Sequence, residues 1–441
     1  MADKKNTRPE MIEPLKRVYV GILLVIFGGI VLHAPISVVL ETLWPNHDLL
    51  IKSWKEILML IAGIIALVLL YKTKRVKLLR DPILVAIGIY AVLHLILLTY
   101  NAKGLASSAA GLAIDLRYLL FFGLVYIAVR LYPSYRKIFV KVAIAGALIV
   151  LIFALLQVFI LPYDVLKYIG YNKNTIIPYL LVDQNHSFVR INSTLRGPNP
   201  LGAYAGIALV LIVAFIAKHK VPKEKWSIAT LIVLSLGGIV ALWASYSRSA
   251  LVGAVIAIAI VLIVAAYRKL STKVWIVIGA VLFLLAGGIF VFRGTSFVSN
   301  VLLHDNSSNS RVTESNGQHI SSIKVGLIQL VHHPLGAGIG STGSASLYGN
   351  NPMIIENQYL FVAHEVGWFG LLVFISIFVA ILLKLWDLRK NWLSLGIFAS
   401  GVGLALIGLL LPVWADDTVA IVWWGLAAIA ILPPRKGVYL I

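Results

Sequence analysis

Long apolar runs alternate with short polar gaps from one end of the chain to the other. About twelve runs, at approximately 18–43, 54–71, 82–99, 106–129, 138–161, 199–217, 226–244, 249–267, 273–292, 358–383, 392–412 and 416–432, come close to the length that carries a helix across a bilayer. A helix closes its backbone hydrogen bonds within itself, which an open strand in hydrocarbon cannot do. The pattern predicts an all-α fold: one integral membrane domain over 1–441 with about 12 transmembrane helices.

Two gaps are long, 162–198 and 293–357, and connections of that length usually carry function. The first holds Tyr163, Tyr168, Tyr171, Tyr179 and Phe188, then Arg190, Asn192 and Arg196 before the string Gly197-Pro198-Asn199-Pro200. The second opens with the polar stretch 305–322. Its apolar positions Ile320, Ile323, Val325, Leu327, Ile328 and Leu330 have helical spacing, which predicts a short amphipathic helix at the membrane surface. Next comes His333-Pro334-Leu335-Gly336-Ala337-Gly338-Ile339-Gly340. No strand precedes it, so it is read as a re-entrant turn that lets backbone approach backbone, and not as a nucleotide loop.

Charge orients the runs. The chain carries 38 basic residues, and about 26 of them fall at the N-terminus or in every second gap, with clusters at 72–80, 130–141, 218–225, 268–273, 384–390 and 435–436. The positive-inside rule puts those gaps and both termini in the cytoplasm and the two long gaps outside. A net charge of +20 dealt out in this way at helix ends predicts a lipid bilayer as partner and no nucleic acid. Sixty per cent hydrophobic residues, 13% charged residues and a mean hydropathy of +0.93 agree. The first run is too long for the apolar core of a removable signal peptide. The absence of cysteine excludes thiolate chemistry and disulfides, and the outer acidic residues are too scattered for a metal site; no cofactor is expected.

Ionisable residues inside the runs need an explanation, because burying one in hydrocarbon costs several kcal/mol unless it meets a cavity or a partner (about 2.5–3.5 kcal/mol on insertion scales). Arg117 lies well inside the fourth run. Asp115 is two positions away, on nearly the opposite side of a helix, and is not its partner. The two readings of Arg117 are a polar functional cavity and a structural interhelical pair. The first is favoured.

The strings Leu195-Arg196-Gly197-Pro198-Asn199-Pro200-Leu201-Gly202 and Ser245-Tyr246-Ser247-Arg248-Ser249 each open a run. With Arg311, His333-Pro334-Leu335-Gly336-Ala337-Gly338 and Glu356-Asn357-Gln358-Tyr359-Leu360, they make residues 110 to 430 resemble the O-antigen ligase and O-antigen polymerase superfamily. The resemblance implies a GT-C type glycosyltransferase. Such an enzyme takes a glycan from an undecaprenyl-diphosphate-linked donor and joins it to a sugar or lipid acceptor at the outer face of the cytoplasmic membrane. Ligases of the family typically place a histidine before the asparagine that opens the helix after the long loop. This chain has Glu356 before Asn357, which leans towards polymerases or other surface-glycan ligases.

Given such a donor, arginine's planar fork is the side chain best matched to phosphate oxygens, and Arg196, Arg248 and Arg311 are the candidates, with Arg117 and Asn357 also lining the substrate site. Arg190 and Arg293 read as ordinary loop charges, and for Arg248 the alternative is a snorkelling interfacial side chain. The attacking hydroxyl must lose a proton, and Glu356 and His364 are the candidate catalytic bases. Their alternatives are a helix cap and a satisfied core histidine. Asp416 and Asp417, at the outer mouth of the last run, are read either as binding acceptor sugar or as the solvated start of the last helix, and the second is favoured. A different function class also fits the composition, a transporter or a flippase of lipid-linked glycans. It would be favoured by two pseudo-symmetric six-helix halves, whereas one cavity roofed by the 293–357 loop would favour the transferase.

Overall fold

The computed structural model describes residues 12–100, 103–182, 185–219, 224–266 and 314–433. Nine of its helices or helix pairs are long and apolar enough to cross a membrane. The first crossing is α1 (Ile12–Gly29) running through a 3-10 turn into α2 (His33–Leu43), and a short α3 (Asp48–Lys52) follows. Then come α4 (Trp54–Lys72), α5 (Pro82–Tyr100), α6 (Leu105–Leu131), α7 (Arg136–Phe159), α8 (Pro198–Lys218), α9 (Lys225–Ala244) and α10 (Arg248–Ala266). After the undescribed stretch, α11 (Glu314–His332) leads to α12 (Gln358–Asp387) and to two shorter apolar helices, α13 (Trp392–Ile407) and α14 (Asp417–Ala430). The expected run at 273–292 and residue Arg311 lie outside the described residues.

Among the described residues the fold departs from purely helical in one hairpin. Tyr179–Val182 (β1) and Asn185–Ile191 (β2) pair antiparallel inside the first long gap, with Tyr179 opposite Ile191 and Leu180 opposite Arg190. The hairpin turns a loop that would otherwise be slack into a fixed arm, and it delivers Arg190 to the ends of the helices.

Interior packing relies on small residues. A Cβ on Gly253 would lie 2.9 Å from the carbonyl oxygen of Gly403, and one on Gly403 would lie 2.6 Å from that of Gly253, so α10 and α13 touch backbone to backbone. Between apolar helices in lipid, such close approach supplies the van der Waals contact that the hydrophobic effect does not. In α14, residues 418–430 are all buried, including Trp423 and Trp424; it is the central post of the bundle.

At 14 residues α14 is only about 21 Å long, short of the roughly 30 Å of a hydrocarbon core. Its C-terminal carbonyls are held by Arg136 at the start of α7, whose guanidinium donates to Ile429 and Leu432 (2.9 Å each) and to Pro433 (3.0 Å). That anchors the post at the end of the bundle that carries the basic connectors. The shortfall therefore falls at the opposite end, where Asp416 and Asp417 begin the helix in a recess.

Candidate functional site

Helix alternation brings the connectors 44–53, 160–197, 245–247, 333–357 and 408–416 to one end of the bundle, and two distinct polar constructions occupy it. The first is a buried ion network. Asp417 accepts from Arg117 of α6, from Lys55 of α4 (2.9 Å) and from the His33 ring of α2 (2.9 Å). Glu56 lies 3.3 Å from Lys55 and 3.8 Å from Arg117, whose other nitrogen donates to the Ala415 carbonyl. Arg117 is 5% exposed and Lys55 2%. Of the two readings of Arg117, the structure displays the interhelical pair. Its partner Asp417 was read from the sequence as a solvated helix start and is instead the centre of the network.

The second construction is a group of arginines around helix N-termini. Arg190, carried in by β2, donates from Nε to the Ser245 carbonyl (2.9 Å) and from Nη2 to Asn199 Oδ1 (2.6 Å). Those contacts tie the hairpin to the first turn of α8 and to the connector that enters α10. Burial, and then the positive charge of Arg248, lower the Arg190 guanidinium to about 10, so these two arginines sit within each other's field. Sequence reading set Arg190 aside as a loop charge. The missed signal was its spacing, nine positions before Asn199 in the Gly-Pro-Asn-Pro string.

The entry into α10 is built for close packing. Tyr246 has a positive φ of 47°, and a Cβ on Gly202 would stand 2.7 Å from Ser245 Oγ and 2.9 Å from Ala250, so the starts of α8 and α10 are pressed together. Arg196 is exposed just before Gly197, the cap of α8, and its charge reaches Asp416, partly offsetting the upward shift that burial imposes on that carboxyl. Asp416 in turn caps α14, accepting from Thr418 N (3.1 Å) and Val419 N (3.0 Å). Three helix N-termini, those of α8, α10 and α14, thus lie beside arginines. Unsatisfied N–H groups and the helix dipole make such ends favourable to anions.

The remaining candidates sit where the long loop re-enters the bundle. Asn357 is the N-cap of α12: its Oδ1 accepts from Tyr359 N (2.9 Å) and Leu360 N (3.0 Å), and its Nδ2 donates to the Leu409 carbonyl (2.8 Å). The cap is therefore Asn357, and Glu356 stands one residue outside, its own N–H donating to Ser322 Oγ of α11 (2.8 Å). Gln358 continues the seam, donating to the Gly408 carbonyl (2.8 Å) and accepting from Trp414 N (2.8 Å). The connector 408–416 therefore joins the Glu356 end of α12 to the recess at Asp416 and Arg196.

α12 is broken at Gly367 (φ 70°, ψ −176°), a conformation open to glycine but strained for other residues. The turn-rich string predicted to re-enter the bundle fills the break. Ala337 N donates to the His364 carbonyl (2.6 Å), Gly338 N to that of Glu365 (3.3 Å), and Trp368 N to that of Pro334 (3.0 Å). The backbone groups freed by the break are thus satisfied by the loop, as irregular backbone in a membrane helix requires. A Cβ on Gly340 would meet the Ser107 carbonyl at 2.2 Å, and Ser107 Oγ donates back to the Gly340 carbonyl (2.8 Å). The loop is thereby clamped between α6 and α12.

Beneath it lies a buried triad that sequence reading did not single out. Glu365, 1% exposed, accepts from Gly340 N and Thr342 N (3.1 Å each) and lies within the field of Asp115, which faces His94 Nε2 at 3.4 Å. His364 is buried, its ring 6.0 Å from that of His333, and its Nδ1 meets no hydrogen-bond partner among the described residues.

Along the helix His364 is seven residues past Asn357, about 10 Å. Glu356 and His364 are too far apart to act on one proton together. The amphipathic helix predicted before the turn is α11, which packs Leu330 and Ile323 against Leu360 and Ala363 of α12 and leaves Leu327 and Val331 exposed. Among the described residues no group of three or more His, Asp or Glu side chains is placed to hold a metal ion.

None of the curated proteins matches the chain. The described helices make it a multi-pass membrane protein. A family model described as O-antigen ligase matches residues 230–375, a stretch that holds Arg248, the glycine turn, Glu356 and the break in α12 but not the string around Arg196; over that stretch the chain is similar to the O-antigen ligases, which supports the O-antigen ligase and O-antigen polymerase superfamily.

Proposed function

We propose that this protein is a GT-C type glycosyltransferase of polysaccharide biosynthesis in the bacterial inner membrane. In this reading it moves a glycan from an undecaprenyl-diphosphate-linked donor to a sugar or lipid acceptor at the extracytoplasmic face. The observation that carries the reading is the gathering of Arg190, Arg196 and Arg248 around the N-termini of α8 and α10, at the end of the bundle that also holds Glu356. The match of residues 230–375 to the O-antigen ligase model supports glycan transfer as the chemistry. The basic connectors at the opposite end support an outward-facing site through the positive-inside rule.

The diphosphate of the donor would lie against Arg196, Arg248 and the helix ends, with Arg190 positioning the group through Asn199. Arg311 is proposed as a further ligand on sequence grounds. The acceptor hydroxyl attacks the anomeric carbon; its oxygen forms the new glycosidic bond as the bond from that carbon to the diphosphate oxygen breaks. The leaving group is undecaprenyl diphosphate, whose charge the arginines stabilise. The hydroxyl proton passes to a base at the mouth of α12. Glu356 is the first choice, since it stands outside the cap and beside the loop. His364 is deeper, and its carbonyl is already engaged by the glycine turn. Asn357, occupied in capping α12 and holding Leu409, shapes the site and makes the substrate contact expected of it only through the amide face left over.

Mass analysis of lipid-linked and surface glycans with and without the gene tests the function. Accumulated single-repeat carriers mean a polymerase and accumulated long carrier-linked chains a ligase, while an unchanged glycan profile would sink the transferase. Glu356→Gln keeps shape and removes basicity, and it should slow transfer by about 10²–10⁴. If it is near normal and His364→Asn is inactive, the base is His364.

A further inference from the structure

A cavity of about 450 Å³ opens sideways between α7, α8 and α9, with α13 and α14 behind it. It lies away from the arginines, towards the end of the bundle that carries the basic connectors. Its walls are apolar, among them Ile144, Ile207, Leu211, Leu231, Leu234 and Leu426. At the mouth stand Lys141, on the second turn of α7, and Trp226 and Trp392, on the first turns of α9 and α13. Lys141 is the one charged residue lining it and is exposed, and Trp226 is 87% exposed. Lys137 precedes Lys141 by one turn of α7, and Lys225 precedes Trp226; Glu224, the cap of α9, is the acidic residue beside them.

We propose that this cavity binds one acyl chain of an anionic phospholipid from the leaflet at the basic end, with the phosphate held at Lys141. The volume falls within the range of ligand pockets, about 300–1,000 Å³, and a sideways opening admits a chain from the bilayer without passage through water. Apolar walls accept any lipid tail equally, so selection has to come from the mouth. There a lysine among further lysines attracts an anionic headgroup, and basic pockets between membrane helices on the cytoplasmic side are known to take such lipids. The tryptophans stand at the level where amphipathic rings favour the interface. The inference does not depend on the transferase reading, since the cavity shares no residue with that site.

The test uses the full chain in vesicles of phosphatidylethanolamine and phosphatidylglycerol, carrying a diazirine analogue of leucine at position 231. Illumination should attach phosphatidylglycerol about fivefold more often than its share of the lipid, a preference expected of one interfacial lysine. Lys141→Gln should abolish that preference while lipid attachment continues, and Lys141→Arg should keep it. Because Lys141 is exposed, neither change threatens folding. Attachment in proportion to composition, a preference untouched by Lys141→Gln, or no attachment at all would each overturn the proposal.

Discussion

Two groups of buried and half-buried charges share one end of this molecule, and they are balanced differently. In the network around Asp417, two carboxylates face Lys55 and Arg117, with His33 adding its ring. Each charge there meets an opposite one within 4 Å. Around the starts of α8 and α10, by contrast, three arginines gather: Arg190 and Arg248 lie within each other's field, and the charge of Arg196 reaches Asp416. Charge that is matched within the protein holds helices together. Arginines gathered beside helix N-termini are suited to an anion from outside. Depth in the membrane alone does not separate the two cases, since the deepest arginine of the pair of groups, Arg117, belongs to the balanced one.

The comparison breaks most readily at Asp417. Asp417→Asn leaves Arg117 and Lys55 buried without their shared carboxylate, and breaking such a pair costs about 3–5 kcal/mol. The expected outcome is a large fall in thermal stability in detergent and poor accumulation in the membrane. Replacing the pair with apolar groups, Arg117→Met with Asp417→Leu, should recover most of the loss, because Lys55 retains Glu56 at 3.3 Å. A recovered double variant that transfers glycan marks the network as structural. One that is folded but inactive would place Arg117 in the donor site and collapse the distinction between the two groups.

The arginine group should respond the other way, in activity and not in stability. Losing one charge-assisted contact to a desolvated phosphate costs about 2–5 kcal/mol, so Arg248→Ala or Arg196→Ala should reduce transfer by roughly thirtyfold or more with an unchanged melting temperature. Lysine should rescue poorly, since it lacks the fork. Arg190→Ala is expected to be intermediate and to lower stability as well, because Arg190 pins the hairpin to Ser245 and Asn199. Normal glycan output from all three alanine variants at normal expression would remove the proposed donor site.

Much of this architecture is legible in the sequence because lipid imposes a strict code: a run of apolar residues has few alternatives to a helix, and basic residues mark one face. The ends of the described helices fall within a few residues of the runs, apart from the earlier start of α1 and the stop of α13 at Ile407. The hairpin at 179–191 escaped because β1 is only four residues long and β2 mixes polar residues with apolar ones, so neither sustains a period. The break in α12 escaped because Gly367 resembles any glycine in a membrane helix until the glycine turn, some thirty positions earlier, is known to fill it. Asp417 could not be assigned to Arg117 across 300 positions. Glu365 could have been found: it is an acidic residue inside an apolar helix, the same kind of signal that drew attention to Arg117, and its neighbour His364 drew attention away from it.

The smallest effect distinguishes shape from chemistry at Asn357. Its Oδ1 closes the first turn of α12, and its Nδ2 holds the Leu409 carbonyl, so the side chain works as a clip between α12 and the connector that leads to Asp416. Asn357→Ala removes both, and loss of an N-cap typically costs about 1 kcal/mol. Asn357→Asp keeps the acceptor for Tyr359 and Leu360, and its negative charge suits the positive helix end, but it cannot donate to Leu409. If Asn357 only shapes the site, the aspartate variant should melt near the native temperature and the alanine variant a few degrees lower, with transfer reduced a few-fold in both. Transfer lost in the aspartate variant at native stability would mean that its amide donates to the substrate. Asn357 would then belong with the arginines of the proposed donor site.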